Sequence, residues 1–329
     1  MLQSPQVVYY GKTVTEFNLI YNQINTQSID RSDVLTGIGD DCAIVNVPEG
    51  YSLAVSMDTL VSGVHFPENA SAYSIGYKAL AVNLSDLAST GAQPAWITLS
   101  LTMPSADKDW LDEFLKGLFD LAKKYNVQLV GGDTTTGPLS ISIQAHGFVK
   151  KPLLRSNAKV NDLIFVSGCL GDAALGFMSY NETPVIIENC KLRFDQPEPR
   201  IELGLKLGEI ASSCIDISDG LASDLSHICK KSNCGAEVNL VKLPLSQEYK
   251  SFFTKDISYV EALTFGDDYE LCFTVTPDSE ADVIQLSDNL NLPITCIGKI
   301  TDSEQIQFLD KNNKTVLFQK KGYEHFHES

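Results

Sequence analysis

Carboxylates and hydroxyls at the ends of apolar segments are the residues of this 329-residue chain best suited to chemistry. Asp216 ends one apolar stretch, and Ser218 and Asp219 follow it directly. Taken alone, Asp219 is well placed as the N-cap of a helix whose apolar stripe begins at Leu221. This segment by itself therefore predicts a capped helix and one solvated acid.

The same combination of acids with glycine turns or strand ends recurs elsewhere in the chain. The segments are Gly39–Asp41, Ser56–Asp58, Gly131–Asp133 and Gly266–Asp268. Carboxylate and hydroxyl oxygens suit Mg²⁺, which usually completes its coordination with water and substrate phosphates. Several acids in one cleft would repel a phosphorylated substrate unless metal ions bridged them. The recurrence therefore predicts a site for several magnesium ions, not a single structural ion.

Composition excludes several other classes of protein. The chain has 25 basic and 42 acidic residues and a net charge of −17, which argues against broad nucleic-acid binding. No apolar run approaches the roughly 20 residues of a membrane helix. The motifs of P-loop kinases and of His-Glu-x-x-His zinc hydrolases are missing from the sequence. Eight cysteines without a Cys-x-x-Cys pair, and no signal peptide, predict a reducing cytoplasmic compartment.

The elements that must position these acids alternate between strands and helices. In the first half we expect a strand at Leu53–Met57 and a helix at Ala72–Thr90, which carries Asp86 on its semi-apolar face. A strand is expected to lead into Gly131, and the alternating pattern at Leu139–Val149 predicts another. Further helices are expected at Glu16–Asn25 and Asp107–Tyr125. This alternation of strands and helices, without a Rossmann fingerprint, predicts an α/β or α+β fold.

A break near Lys150–Pro152 predicts two domains, residues 1–150 and residues 151–329. The second half shows helical, strand and hairpin patterns. Helices are expected at Pro197–Cys214 and Asp219–Ser232, strands at Tyr269–Val275 and Ile294–Ile300, and a hairpin at Gln305–Gln319.

With these segments in view, the sequence resembles the thiamine-monophosphate kinases nearly from end to end. The motifs that carry the resemblance are Gly37–Asp41, Ser56–Thr59, Val82–Leu87, Gly131–Thr135, Ile215–Leu221, Gly266–Phe273 and Gly322–Phe326. That family belongs to the superfamily of aminoimidazole ribonucleotide synthetase and selenophosphate synthetase. The resemblance implies an N-terminal α/β sheet domain that forms a homodimer, a C-terminal α/β domain, and ATP bound without a P-loop.

The resemblance also implies a set of site residues, position by position. The magnesium ligands would be Asp41, Ser56, Met57, Asp58, Asp86, Asp133, Asp216 and Asp219. The ATP contacts would be Gly132, Asp133, Arg155 and Ser218. Thiamine monophosphate would contact His65, Asp267 and Tyr323. From the residues alone, Arg155 could equally stay solvated and His65 could be an ordinary polar loop residue.

Two of these positions depart from the family pattern. Met57 stands where a threonine is often found, so a metal there would have to bind its backbone carbonyl. Asp267 stands where relatives usually have glutamate, so its side chain is one methylene shorter.

The activity that the resemblance implies is in-line transfer of the ATP γ-phosphoryl group to thiamine monophosphate, giving thiamine diphosphate. The nucleophilic phosphate has a second pKa of about 6, so it needs no general base at neutral pH. Two alternatives stay open. One is another ATP-using, amidine-forming synthetase of the same superfamily. The other is a non-catalytic divalent-cation-binding protein, although the chain has no loop of the EF-hand type.

Overall fold

A computed structural model describes residues 28–180, 187–253 and 258–317 of the chain. The helix expected at Glu16–Asn25 and the predicted substrate contact Tyr323 lie outside the described residues. None of the described helices is long and apolar enough to cross a membrane.

The first half of the chain is built on a four-stranded sheet. Its strands are β3 (Ser52–Val61), β4 (Gln93–Met103), β5 (Gln128–Thr136) and β6 (Ser140–Val149), arranged in the order β3-β6-β4-β5. Strands β4 and β5 are parallel, and the other pairs are antiparallel. A short hairpin of β1 (Val34–Thr36) and β2 (Ile44–Val45) precedes the sheet.

Two helices cover one face of this sheet. They are α1 (Ala72–Ser89) and α2 (Lys108–Lys124), close to the predicted bounds. The Ser71 hydroxyl accepts a hydrogen bond of 3.1 Å from the Ser74 amide, and Asp107 caps α2 in the same way. Because α1 is buried almost all round, its polar side chains must find partners inside the protein.

The opposite face of the sheet is only partly covered. At one end Trp96 and Phe148 pack against Val34 and Val45 of the β1–β2 hairpin. Along the rest of β3, alternate side chains remain open to solvent. They are Leu53, Val55 and Met57, which are 42%, 53% and 59% exposed. We call this exposed row, Leu53, Val55 and Met57, the outer row of β3.

The second half of the chain forms a seven-stranded sheet. In chain order the strands are β7 (Leu163–Ser167), β8 (Ala211–Asp216), β9 (Gly235–Asn239), β10 (Leu271–Val275), β11 (Ile294–Thr301), β12 (Ile306–Leu309) and β13 (Thr315–Val316). The sheet order is β13-β12-β9-β11-β7-β10-β8, and only the β12–β9 pair is parallel. The β12–β13 pair confirms the predicted hairpin within the described residues.

Among the described residues, helices and two 3₁₀ turns surround this sheet. They are α3 (Asp172–Met178), α4 (Glu188–Asp195), α5 (Ile201–Leu207), α6 (Leu221–Ser232), α7 (Gln247–Phe252), α8 (Val260–Thr264) and α9 (Glu280–Leu290), with 3₁₀ turns at Leu240–Lys242 and Pro277–Ser279. The last two α-helices and α7 give no clear periodic signal in the sequence.

Two of the local predictions are wrong. The segment Pro197–Cys214 is not one helix, because β8 begins at Ala211 and pairs with β10. Tertiary pairing overrides the helical pattern here, and the Ser213 and Thr274 hydroxyls lie 2.7 Å apart across the two strands. Asp219 is not the N-cap of the following helix either, since Gly220 takes that position with no side-chain cap.

Helix α1 joins the two halves. The apolar residues that pack around it come from both sheets, for example Ile143 of β6 and Cys214 of β8. The Ser85 hydroxyl of α1 donates a hydrogen bond of 2.8 Å to the Asp216 carboxylate at the end of β8. The acids of the two halves therefore meet beside one helix.

Candidate active site

Strand β3 and helix α1 hold one group of predicted ligands together. Ser56 and Asp58 lie on the face of β3 that is turned toward α1, and the Ser56 hydroxyl donates a hydrogen bond to Asp86 of α1. The Asp58 backbone amide donates to the Asn83 side-chain oxygen at 3.1 Å. The structure therefore brings Ser56, Asp58 and Asp86 together, as the resemblance implied.

Pairing between two distant motifs positions the second group. The amide of Ile217 donates to the Glu270 carbonyl at 2.8 Å, and the Tyr269 amide donates to the Ile217 carbonyl at 2.8 Å. The Asp267 amide continues the pattern with a bond of 2.9 Å to the Ser218 carbonyl. Both motifs therefore belong to one extended antiparallel structure.

Gly266 is required by this close pairing. A Cβ atom at that position would lie 1.9 Å from the Ser218 carbonyl oxygen, a distance that no side chain can occupy. The glycine that precedes the two aspartates thus lets the two motifs approach each other.

Asp216 and Asp219 are fixed by neighbouring polar groups. Asp216 is 3% exposed and accepts the hydrogen bond of Ser85. The backbone amide of Asp219 donates at 3.0 Å to the carboxylate of Asp224, which is 2% exposed. Asp224 therefore holds the loop that carries Ser218 and Asp219.

The pKa values show how much negative charge is gathered here. Burial, together with the neighbouring Asp86 and Asp219 carboxylates, raises the pKa of Asp58 to about 7. Burial also raises the pKa of Asp86, against the lowering effects of the Ser56 hydrogen bond and Arg155. Burial and the Asp86 carboxylate raise the pKa of Asp216. Burial and the Asp219 carboxylate raise the pKa of Asp224 to about 7.

This donor set fits magnesium. Its oxygens are hard ligands, and its charges are destabilised when no cation compensates them. Arg155 is a cation that lowers the pKa of Asp86, Asp216 and Asp224, and its own side chain is exposed. Within the described ranges, no group of three His, Cys, Asp or Glu side chains is already gathered in a metal-binding arrangement.

A cavity of about 460 Å³ opens beside Ser56 and Asp86. Its wall combines apolar side chains with a few polar and cationic ones, as is usual for small-molecule sites. The lining residues are Ala54, Val55, Ser56, Asp86, Leu87, Ser89, Thr90, Leu153, Leu154, Arg155, Ser156, Cys214 and Lys231. Arg155 and Lys231 supply positive charge at a wall that also borders the acidic cluster.

A third group, His65 and Asp267, lies around Lys78, about two turns before Asp86 on α1. The His65 Nδ1 atom accepts a hydrogen bond of 3.0 Å from the Val61 amide, so the proton of the neutral ring is on Nε2. Asp267 has a left-handed backbone with φ of 67°, and its carboxylate lies 3.2 Å from the ammonium of Lys78. Lys78 also donates to the His65 carbonyl at 3.4 Å.

Other predicted residues lie elsewhere. Asp41 is exposed in the turn after β1, and the Met57 side chain belongs to the outer row of β3. Gly132 and Asp133 lie on β5, three strand positions away from β3, or about 14 Å at the usual strand spacing. Asp133 pairs with Ser100, which places its exposed side chain on the face away from α1. Within one chain Gly132 and Asp133 are therefore separate from the Asp58–Asp86 group, whereas the backbone carbonyl of Met57 directly precedes Asp58 on β3.

Several residues of the site were missed by sequence reasoning. They are Lys78, Asn83, Ser85 and Asp224. Lys78 follows the helical spacing of Val82 and Asp86 at intervals of four residues, which was an available signal of a shared face. Asn83 and Ser85 lie inside the Val82–Leu87 motif, close in sequence to the predicted ligand Asp86.

Residues 39–149 match the N-terminal domain of AIR synthase related proteins, and residues 159–311 match the C-terminal domain. The thiamine-monophosphate kinase of Escherichia coli strain K12 is 45% identical over 320 residues, covering 94% of this chain and 98% of that protein.

Two solved structures are similar over most of their length. The crystal structure of thiamine-monophosphate kinase from Stenotrophomonas maltophilia K279a has a TM-score of 0.84 and 42% identity, covering 92% of this chain and 98% of its own. The structure of AaThiL complexed with AMPPCP and TMP has a TM-score of 0.76 and 29% identity, covering 98% of this chain and 100% of its own.

Proposed function

Because the chain belongs to the thiamine-monophosphate kinase family, we propose that it transfers the γ-phosphoryl group of ATP to thiamine monophosphate. The products are thiamine diphosphate and ADP. The observation that carries the proposal is the meeting of Ser56, Asp58 and Asp86 with Asp216 beside helix α1. The AaThiL complex with AMPPCP and TMP supports the same pair of substrates.

Several magnesium ions are part of the proposal. Ser56, Asp58, Asp86, Asp216 and Asp219 would hold them, because Asp86 and Asp219 are near enough to raise the pKa of Asp58, and Asp86 also raises the pKa of Asp216. When bound, the ions neutralise charge on the two phosphorylated substrates and on the transferred group. The protein residues position these ions and keep the acids at a fixed spacing.

The nucleotide is assigned to the cavity beside Ser56. Arg155 offers a guanidinium for a phosphate, and Leu87, Leu153 and Leu154 offer an apolar wall for a base or ribose. Ser218 lies two residues beyond the end of β8, directly before Asp219. The cavity supports the ATP contact proposed at Arg155, and the contact at Ser218 remains a proposal from the family resemblance.

The acceptor is assigned to the pocket of His65 and Asp267, with Tyr323 as a further proposed contact. His65 presents a donor at Nε2, and Asp267 presents a carboxylate, so the pocket can bind both hydroxyl or phosphate oxygens and a cationic ring. No side chain is needed as a general base, since the acceptor phosphate is already largely ionised at neutral pH.

A homodimer is also proposed, formed through the sheet of the N-terminal domain (residues 1–150), with residues 151–329 as the second domain. The outer row of β3 is apolar and exposed, which is typical of a surface that another protein covers. Asp41, Met57, Gly132 and Asp133 lie on or near the outward side of this domain. If Asp133 binds the same ions or nucleotide as Asp58, a second copy must supply it.

The test of the activity is product formation from ATP, magnesium and thiamine monophosphate, with unphosphorylated thiamine as the parallel acceptor. Thiamine diphosphate and ADP from the first mixture alone would support the proposal. ATP binding without product would favour an amidine-forming synthetase. Magnesium binding that is equally strong with and without ATP would favour a non-catalytic cation-binding protein, because a kinase completes its metal coordination on the nucleotide.

A further inference from the structure

Lys78 is a lysine with almost no contact with solvent. It is 2% exposed in the middle of α1, where lysine is rare unless its charge is paired. Its ammonium lies 3.2 Å from Asp267 and 3.7 Å from the centroid of the Phe194 ring. The aromatic face of Phe194, on α4, adds a cation–π contact to the ion pair.

The same ammonium links two segments that are far apart in the chain. It donates to the His65 carbonyl at 3.4 Å and contacts the Asp267 carboxylate through Oδ2. The other oxygen of that carboxylate, Oδ1, accepts a hydrogen bond of 2.9 Å from the Tyr269 hydroxyl. The orientation of Asp267 is therefore fixed from both sides, and one of the two anchors is Lys78.

The backbone around Asp267 makes these anchors necessary. Asp267 and Tyr269 both have left-handed backbones, with φ of 67° and 49°. Such conformations are costly for residues other than glycine and persist where surrounding contacts hold them. Lys78 and Tyr269 are contacts of this kind, and Asp267 remains 26% exposed, so it is still open to a ligand.

We propose that Lys78 is the positioning residue of the acceptor pocket, holding Asp267 and the His65 loop at the spacing that thiamine monophosphate requires. This inference depends on the proposed function, because His65 and Asp267 are acceptor contacts only in that reaction. Lys78 does not touch the acceptor. It acts through Asp267, and nucleotide binding is independent of it.

The experiment compares Lys78→Met, Asp267→Asn and the double variant. Methionine keeps the length and the apolar contact with Phe194 while removing the charge. For Lys78→Met we expect the KM for thiamine monophosphate to rise about tenfold and the KM for ATP to stay within about twofold. The double variant should be no weaker than Asp267→Asn alone, because residues that act through one another are not additive.

Lys116→Met is the matched control. Lys116 is an exposed lysine of α2 that also lies near an aromatic ring, that of Tyr73, and its substitution should change neither KM. Calorimetric titration of each variant with thiamine monophosphate, and separately with magnesium and ATP, gives the same comparison without turnover. Equal weakening of both substrates by Lys78→Met, or additive effects in the double variant, would overturn the inference. Wild-type protein that binds no thiamine monophosphate would instead overturn the proposed function and this inference with it.

Discussion

The Ser85 hydroxyl donates a 2.8 Å hydrogen bond to Asp216 across 131 residues of sequence. Ser85 is fully buried, and Asp216 is 3% exposed. The bond lowers the pKa of Asp216, while burial and Asp86 raise it. It also fixes the orientation of the Asp216 carboxylate relative to α1. Asp216 of the second sheet is therefore held in a fixed position relative to Asp86 of α1.

Replacing Ser85 by alanine should therefore lower the free energy of unfolding. The change leaves a buried carboxylate without one of its partners, which costs about 1–3 kcal/mol of unfolding free energy. Urea unfolding at pH 7 measures the effect. Ser89→Ala is the control on the same helix, because Ser89 donates only to a carbonyl of its own helix at 2.9 Å. Equal losses of unfolding free energy in the two variants would show that the hydrogen bond to Asp216 contributes no more to stability than the bond within the helix.

Asp58→Asn should separate activity from stability. We expect kcat to fall at least 100-fold, or about 2.7 kcal/mol of activation free energy, because a proposed metal ligand is lost. The thermal midpoint without magnesium should stay the same or rise, since the repulsion with Asp86 is removed. Steady-state kinetics and thermal unfolding measure the two quantities. The control is Asp112→Asn, because Asp112 is a half-buried acid of α2 that pairs with Lys108, and activity near that of this control would contradict the assignment of Asp58.

The same carboxyl group predicts a pH dependence of stability in the absence of metal. The pKa of Asp58 is about 7 in the folded protein against an ordinary value of 3.8, so the folded state binds more protons between pH 4 and 7. The unfolding free energy should therefore fall as the pH rises through that window and level off above it. In EDTA, Asp58→Asn should make this fall shallower by up to about 1.4 kcal/mol per pH unit. Parallel curves for the two proteins would contradict the pKa.

Gly132→Ala and Gly131→Ala form a matched pair on β5. A Cβ atom at Gly132 would lie 1.9 Å from the Leu99 carbonyl oxygen, whereas one at Gly131 would meet nothing within 4 Å. We expect Gly132→Ala to destabilise the protein by about 1–3 kcal/mol, as overpacking does, and Gly131→Ala to be tolerated. Chemical unfolding distinguishes them. Similar stabilities would mean that Gly132 serves ligand binding alone.

Leu53→Asp tests the proposed dimer. Leu53 belongs to the outer row of β3 and lies away from the acidic cluster. A charge buried at an apolar interface is strongly unfavourable, so we expect a monomer in sedimentation velocity runs. Ile284→Asp, on α9, is the control, because Ile284 is 57% exposed outside the N-terminal sheet. A dimer that survives Leu53→Asp would place the interface elsewhere.

The sequence predicted the elements that depend on local pattern. The helices at 72–89 and 108–124 follow from apolar spacing and caps, and Asp86 follows from its position on the first of them. Strand β8 could not be recognised from its own residues, since it is defined by pairing with β10. The burial of Lys78 likewise depends on Asp267 and Phe194, which come from distant segments.

Asp133 shows a different limit of sequence reasoning. Its Gly-Gly-Asp motif predicts a functional segment, but no local pattern tells which face of the sheet the carboxylate will occupy. The register with Ser100 decides that, and a shift of one residue would reverse it. The motif therefore identified Asp133 as a candidate residue, but it could not predict the face of the sheet on which the side chain lies.

Strand β3 lies at the edge of its sheet and pairs, among the described strands, only with β6. The pairing runs without a bulge for ten residues, from Ser52 to Val61, and the strand carries the outer row of apolar side chains. A long regular edge of this kind is a template for uncontrolled strand addition and aggregation. Newly made chains at low concentration would expose this edge, so a dimer that covered β3 would also protect the protein from aggregation.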